Sequence, residues 1–155
     1  MRAVLQRVSR AQVRCAGGHH AAIGAGLLVL LGVARGDGPI DVQALAHKIP
    51  RLRLFPDAAG VMNLPLLEMD GGPGDILLVS QFTLHADTRR GLRPYYGAAA
   101  PPEEAVPLYE SLLAALRGQG LAVAAGVFGE RMEIEMTADG PVTIVLDTSG
   151  KWCQA

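Results

Sequence analysis

Asp75-Ile76-Leu77-Leu78-Val79-Ser80-Gln81-Phe82-Thr83-Leu84 is the stretch from which the rest of the chain can be read. Its first half, Asp75 to Val79, has the aliphatic, β-branched content of a strand buried on both faces, and the strand is expected to run as far as Phe82. Polar residues then arrive abruptly, and the chain continues as His85-Ala86-Asp87-Thr88-Arg89-Arg90-Gly91-Leu92-Arg93-Pro94. Hydroxyls, an amide and exposed backbone N–H groups therefore stand beside the cations Arg89, Arg90 and Arg93, the makings of an anion or ester site. The plainer alternative is a strand end whose Ser80 and Thr83 satisfy turn hydrogen bonds, followed by a solvated loop. The residues alone leave both readings open.

Working outward, the segment before this strand is a chain of turns and short extended pieces. Gly71-Gly72-Pro73-Gly74 is a break, and Val61 to Leu64 with Leu66-Leu67 reads as extended. Pro56-Asp57-Ala58-Ala59-Gly60 is turn chemistry, and Leu52 to Phe55 reads as a strand. Ile40, Ala44, Leu45 and Ile49 give one apolar face to a helix that starts at Asp37 and Pro39 and ends near Pro50. The opening is a β-meander: Ala3 to Arg14, a turn at Gly17-Gly18, Ala21 to Gly24, then Leu27 to Val33 as a central strand.

Downstream, His85 to Ala100 is long for a loop in a compact domain, which favours function over mere connection. Pro101-Pro102-Glu103-Glu104 opens a second helix, with Val106, Tyr109, Leu112, Leu113 and Leu116 as its core stripe and Gly118 and Gly120 as its stop. Leu121 to Val127, Met132 to Thr137 and Val142 to Asp147 read as three closing strands, the last two joined by a turn over Ala138 to Pro141. The expected fold is mixed α/β, a single domain over residues 1–155 with two helices against a strand-rich layer.

Composition bounds the function. A chain of 155 residues can bury roughly two-thirds of its unfolded surface in one core without disulfide or metal. Cys15 and Cys153 lie at opposite ends without metal-ligand spacing, nothing at the N-terminus reads as a secretory signal, and a reducing cytoplasm fits best. The most apolar run, Gly24 to Ala34, is far short of the ~20 residues that span a bilayer. A net charge of −1 argues against a protein that coats nucleic acid generally. Contact through a local arginine group is still allowed, because the guanidinium suits phosphate; Arg51, Arg53, Arg89, Arg90 and Arg93 are the candidates.

The familiar catalytic constellations are missing. His19, His20, His47 and His85 have no metal spacing, and no Gly-x-Ser-x-Gly elbow is present. Glu103-Glu104 is explained by the helix start. Gly71 to Gly74 precedes a strand and lacks the Walker lysine, so it is no phosphate loop. Neither a metal nor a cofactor is expected.

Ser80-Gln81-Phe82-Thr83-Leu84 and Gly140-Pro141-Val142-Thr143, in this order, resemble the two signature motifs of the D-aminoacyl-tRNA deacylases, formerly D-tyrosyl-tRNA deacylases. Leu5-Gln6-Arg7-Val8, Gly26 to Val33, Met62-Asn63-Leu64, Ala86-Asp87-Thr88 and Gly91 to Pro94 also look like family segments in family order. Ala138 stands where the family usually has Asn. The resemblance implies a homodimer in which Ser80, Gln81, Phe82 and Thr83 of one protomer work with Gly140 and Pro141 of the other. Val142, Thr143, Met62 and Asn63 are then further substrate-binding candidates, and Arg89, Arg90 and Arg93 candidates for tRNA. The implied substrate is a tRNA whose terminal adenosine carries a D-amino acid, or glycine, in ester linkage; Ser80 and Phe82 favour the D-specific branch over the animal group that edits L-alanine.

An aminoacyl ester is already activated, so a dry site that positions one water and stabilises the oxyanion with backbone N–H groups near Gln81 and Phe82 suffices without a strong base. Thr83 is a nucleophile or a positioner, and with no activating base in the motif the second role is the better expectation. Gly140-Pro141 is expected to reject the L ester by obstruction, since a methylene of difference in a snug pocket is worth only ~1–3 kcal/mol. Two readings from other classes compete: a non-catalytic nucleic-acid-binding module on the same fold, and a metal-free esterase for small molecules.

Overall fold

The computed structural model describes residues 1–69 and 71–150; Cys153 lies outside them. Strand β1 (Arg2–Cys15) is followed by β2 (His20–Ile23), β3 (Gly26–Gly32), helix α1 (Pro39–Lys48), β4 (Arg53–Pro56), β5 (Met62–Pro65) and β6 (Asp75–Ser80). Helix α2 (Pro102–Arg117), β7 (Val123–Ala125) and β8 (Met132–Asp147) complete the order. The long β1 organises the main sheet. Along one edge it pairs first with β3 and then with β2, both antiparallel, and along the other edge with β8. Beyond β3 lie β6 and β7, each parallel to its neighbour, while β4 and β5 form a separate hairpin.

The apolar run 75–79 is explained by what covers its two faces. Ile76 and Leu78 join Leu27, Val29 and Leu31 in a core capped by Leu45 and Ile49 near one helix and Tyr109, Leu112 and Leu116 of the other. Leu77 and Val79 point the opposite way, onto Val8, Ala11, Val13 and Ile23, where the second half of β1 curls over the sheet. Each side chain from Ile76 to Val79 thus finds an apolar partner, whichever way the pleat turns it. Among the described residues, no helix is long and apolar enough to cross a membrane.

Five local expectations are corrected. The buried face of α1 is Val42, Leu45 and Ala46, continued by Ile49 just past its end, with Ile40 75% exposed in a first turn that projects past the core. Asp37 is not its cap: Gly38 is, and Asp37 instead accepts the Ala34 N–H at 2.6 Å. Leu66–Glu68 is a 3-10 turn rather than extended, burying Leu66. The strand expected over Leu121 to Val127 pairs only from Val123 to Ala125. β6 ends at Ser80, and Phe82–His85 winds into a second 3-10 turn.

A sixth difference is the largest. The two closing strands are one, β8, because both flanks of the Ala138-to-Pro141 segment pair with the same neighbour. Gln6 is opposite Thr143 and Val8 opposite Ala138, so Asp139 to Val142 loop out as a bulge across from Arg7 alone. The Gly140-Pro141 peptide within it is cis.

Candidate active site

Ser80 is the last residue of β6 and pairs with Leu31. The Gln81 N–H donates to the Leu31 carbonyl at 2.7 Å, closing the ladder, after which the chain turns into Phe82–His85. Gly32 makes the turn possible, since a Cβ there would sit 2.9 Å from the Gln81 carbonyl oxygen and 3.0 Å from the His85 ring. The turn's first internal bond is from Leu84 N–H to the Gln81 carbonyl, at 3.3 Å. The N–H groups of Phe82 and Thr83 precede it and have no acceptor within the turn. Phe82 and Thr83 therefore keep unspent N–H groups at the start of the turn, whereas the Gln81 N–H, expected to be among the donors, is spent on Leu31.

The Thr83 hydroxyl donates to the Gln81 side-chain carbonyl at 2.7 Å. An amide oxygen is no base, so this contact orients Thr83 without activating it. His85, two residues on, is packed against Gly32 with its Nε2 buried and unpartnered, and it does not line the cavity.

A cavity of about 520 Å³ opens beside this turn. Ser80, Gln81 and Phe82 form one wall, Tyr96, Ala99 and Ala100 another, and Phe128, Gly129 and Met132 a third, with Pro102 and Ala105 from the start of α2. Phe82 and Tyr96 meet edge to face at 5.0 Å, and Phe128 meets Tyr109 likewise at 5.6 Å. The Tyr109 hydroxyl donates to the Leu78 carbonyl at 3.0 Å, and burial pushes its pKa up to about 12, so it keeps its proton. Sequence reasoning missed Phe128, Met132 and Ala105 as wall residues. Tyr96 was legible only as part of a loop too long to be a plain connection.

Gly140 and Pro141 are exposed and do not line this cavity. Gly140 has φ +133°, and a Cβ there would fall 2.6 Å from the Val142 nitrogen. Arg7, which the sequence singles out only within the family-like segment Leu5 to Val8, holds the bulge: its Nε donates to the Asp139 carbonyl at 3.2 Å and lies 3.0 Å from the Asp139 carboxylate. Its Nη1 reaches the Leu54 carbonyl at 2.5 Å, tying bulge to hairpin. Val142 packs against the core and Thr143 pairs with Gln6. In the hairpin, Met62 is 52% exposed, while Asn63 is occupied internally, donating to Asp57 at 3.0 Å and accepting from Arg53. Ser80, Gln81 and Phe82 thus line the cavity and Thr83 is joined to them through Gln81, whereas Gly140 and Pro141 lie away from it beside Arg7, which links the bulge to the hairpin of Met62 and Asn63.

In the following loop, Asp87 and Tyr95 exchange backbone hydrogen bonds of 2.7 and 2.9 Å. Arg89 is bound to Asp87 through Nε at 2.9 Å and Nη2 at 2.6 Å, and these bonds hold the Asp87 carboxyl down at about 2. Arg90 and Arg93 are exposed and, among the described residues, have no ion pair or hydrogen bond. The three arginines are therefore unequal, one neutralised locally and two available.

Against known proteins, the chain is 55% identical to the D-aminoacyl-tRNA deacylase of Anaeromyxobacter dehalogenans over 96% of its own length and 97% of that protein. It is 49% identical to the D-aminoacyl-tRNA deacylase of Thermus aquaticus, covering 97% of each. Among solved structures it superposes on the c-Myc DNA Unwinding Element Binding Protein with a TM-score of 0.85 at 38% identity, covering 95% of this chain and 98% of that one. A probable eukaryotic D-amino acid tRNA deacylase shares the fold at a TM-score of 0.71 and 20% identity, over 94% and 97% of the two chains. The family model described as D-Tyr-tRNA(Tyr) deacylase matches residues 4–147, both motifs included, and the chain belongs to the D-aminoacyl-tRNA deacylase family.

Proposed function

We propose that this chain hydrolyses the ester bond of D-aminoacyl-tRNA to free D-amino acid and tRNA, a chiral proofreading step in translation. The chain is a hydrolase of the deacylase family. The observation that carries the reaction is the turn at Phe82–His85, with two unspent N–H groups beside a cavity whose volume lies in the range of small-molecule sites. The terminal adenosine occupies the cavity between the Phe82–Tyr96 pair and Phe128, which sets the ester carbonyl at the turn. Water attacks the carbonyl carbon, the oxyanion accepts from Phe82 and Thr83 N–H, and collapse expels the ribose oxygen, which takes up the proton that water gives. Thr83 and Gln81 orient the reactants.

The Gly140-Pro141 bulge enters the site from a second copy of the chain. Both residues are exposed in the single chain, and the same strand β8 presents Ile134, Met136 and Val145 to solvent at 37%, 39% and 63%. A homodimer would cover that surface. On this reading the bulge rejects L side chains and admits glycine, Arg90 and Arg93 meet tRNA phosphates, and the enzyme works in the cytoplasm.

The likeness to a protein named for DNA binding favours a second reading, a nucleic-acid-binding module without catalysis. Deacylation of D- and L-tyrosyl-tRNA by the purified chain separates the readings. A deacylase cleaves the D ester selectively; a binding module cleaves neither; an esterase for small molecules ignores the tRNA.

A further inference from the structure

Several large apolar side chains are exposed at the cavity wall or on the loop that leads to it. Phe82 is 57% exposed, Tyr96 36%, Tyr95 70%, and Leu92 is wholly exposed. Tyr95 differs from Leu92 in being held. Its backbone is locked to Asp87 by the two bonds described above, and its ring lies over Gly97, where a Cβ would fall 2.2 Å from the tyrosine hydroxyl oxygen. Asp87 is in turn fixed by Arg89. An aromatic ring presented to solvent on a braced loop spends little entropy on binding. Tyr96, the next residue, turns to Phe82 and lines the cavity, so Tyr95 stands one residue along the chain from the cavity wall without lining it. The unpaired Arg90 and Arg93 stand on the same loop.

A braced aromatic ring flanked by available guanidinium groups is the chemistry of a single-stranded nucleic-acid site, where bases stack and phosphates meet cations. A base pair inside a duplex offers no free face to such a ring. Every tRNA ends in unpaired cytidines before its terminal adenosine. We propose that Tyr95 stacks on an unpaired base immediately 5′ of the terminal adenosine, with Arg90 and Arg93 on the adjoining phosphates, so that the enzyme grips the single-stranded end of its substrate rather than its helix. This inference rests on the placement of the adenosine in the cavity under the proposed function.

The test uses the full chain, wild type, Tyr95→Ala and Tyr95→Trp, with three D-tyrosyl esters: of tRNA, of the trinucleotide cytidylyl-cytidylyl-adenosine, and of adenosine. Tyr95→Ala should raise KM about tenfold for the tRNA and trinucleotide esters with kcat unchanged, within the range of one lost base–aromatic stack. The adenosine ester, which has no nucleotide to stack, should be hydrolysed by the variant as by wild type. Tyr95→Trp should restore KM. An equal loss on the adenosine ester would make Tyr95 part of the cavity and overturn the proposal. A loss on tRNA but not on the trinucleotide would assign the ring to the helix, and no loss anywhere would leave it without this role; either result overturns it too. If wild type cleaves none of the three, the deacylase reading itself fails, and that is separable from the other outcomes.

Discussion

Thr83 shows how a single hydrogen bond decides a role. Its hydroxyl donates a hydrogen bond to the Gln81 side-chain oxygen at 2.7 Å, and the one imidazole within two residues, His85, is packed away from the cavity. Thr83→Ser should therefore remain close to wild type, while Thr83→Val, which keeps the backbone donor, should lower kcat by roughly tenfold to a hundredfold, less than removal of an oxyanion donor. Rapid-quench kinetics should show no burst of acyl-enzyme; a burst lost in Thr83→Val would make the hydroxyl a nucleophile instead. Arg7 makes the complementary case. Replacing it by Met leaves the Leu54 and Asp139 carbonyls without their partner, a cost of about 1–3 kcal/mol in stability, with selectivity between D and L esters falling as the bulge loosens. Denaturant melts together with kcat/KM for both esters would measure the two effects. The end of the buried strand was legible in the sequence to within two residues of Ser80, because its aliphatic run gives way abruptly to polar residues there. Arg7 was not, because it reads as an ordinary polar residue on a strand and its partner Asp139 lies 132 residues away.

At the scale of elements, the strand 75–79 and the stripe of α2 could be read directly, since each is fixed by its own period. The 3-10 turn and the bulge in β8 could not, because both are set by a neighbour: the turn by Gly32 across the parallel ladder, the bulge by β1 pairing with both of its flanks. Turn residues between two apolar runs look the same whether the chain reverses or merely swells. Gly140→Ala tests the bulge, for at φ +133° with a Cβ 2.6 Å from the Val142 nitrogen the segment must rearrange. Deacylation should fall steeply while Ala138→Gly, in the adjoining paired segment, changes little; equal effects would remove the bulge from the site. The arginine loop makes a graded prediction. Replacing Arg90 or Arg93 by Ala should reduce the slope of log affinity against log salt by about one each, and Arg89, paired with Asp87, should contribute less. Binding titrations at several salt concentrations would show it, and identical slopes for all variants would move the tRNA surface elsewhere.

Across the whole molecule, β1 gathers the pieces, and its end is tied to the end of β8. Burial raises the Asp147 pKa, but the Ser149 hydroxyl and Arg2 outweigh it and hold the carboxyl at about 2, below its ordinary value. Stability from this link is complete above pH ~4, where the unfolded carboxyl is ionised, and is lost as pH falls toward the folded value. Asp147→Asn should lower the melting temperature at pH 7 and flatten its fall between pH 4 and about 2, an effect on the order of 1 kcal/mol after solvent screening. A parallel offset at every pH would contradict the linkage. The exposed apolar side of β8 calls for a partner, and sedimentation at micromolar concentration should give a dimer; a stable, active monomer would refute the shared site. Chiral deacylation is tested most directly by kcat/KM of the purified chain on D-tyrosyl- and L-tyrosyl-tRNA. Hydrolysis of the D ester with the L ester left essentially intact is the expected result. Equal hydrolysis of both, or of neither, would contradict it.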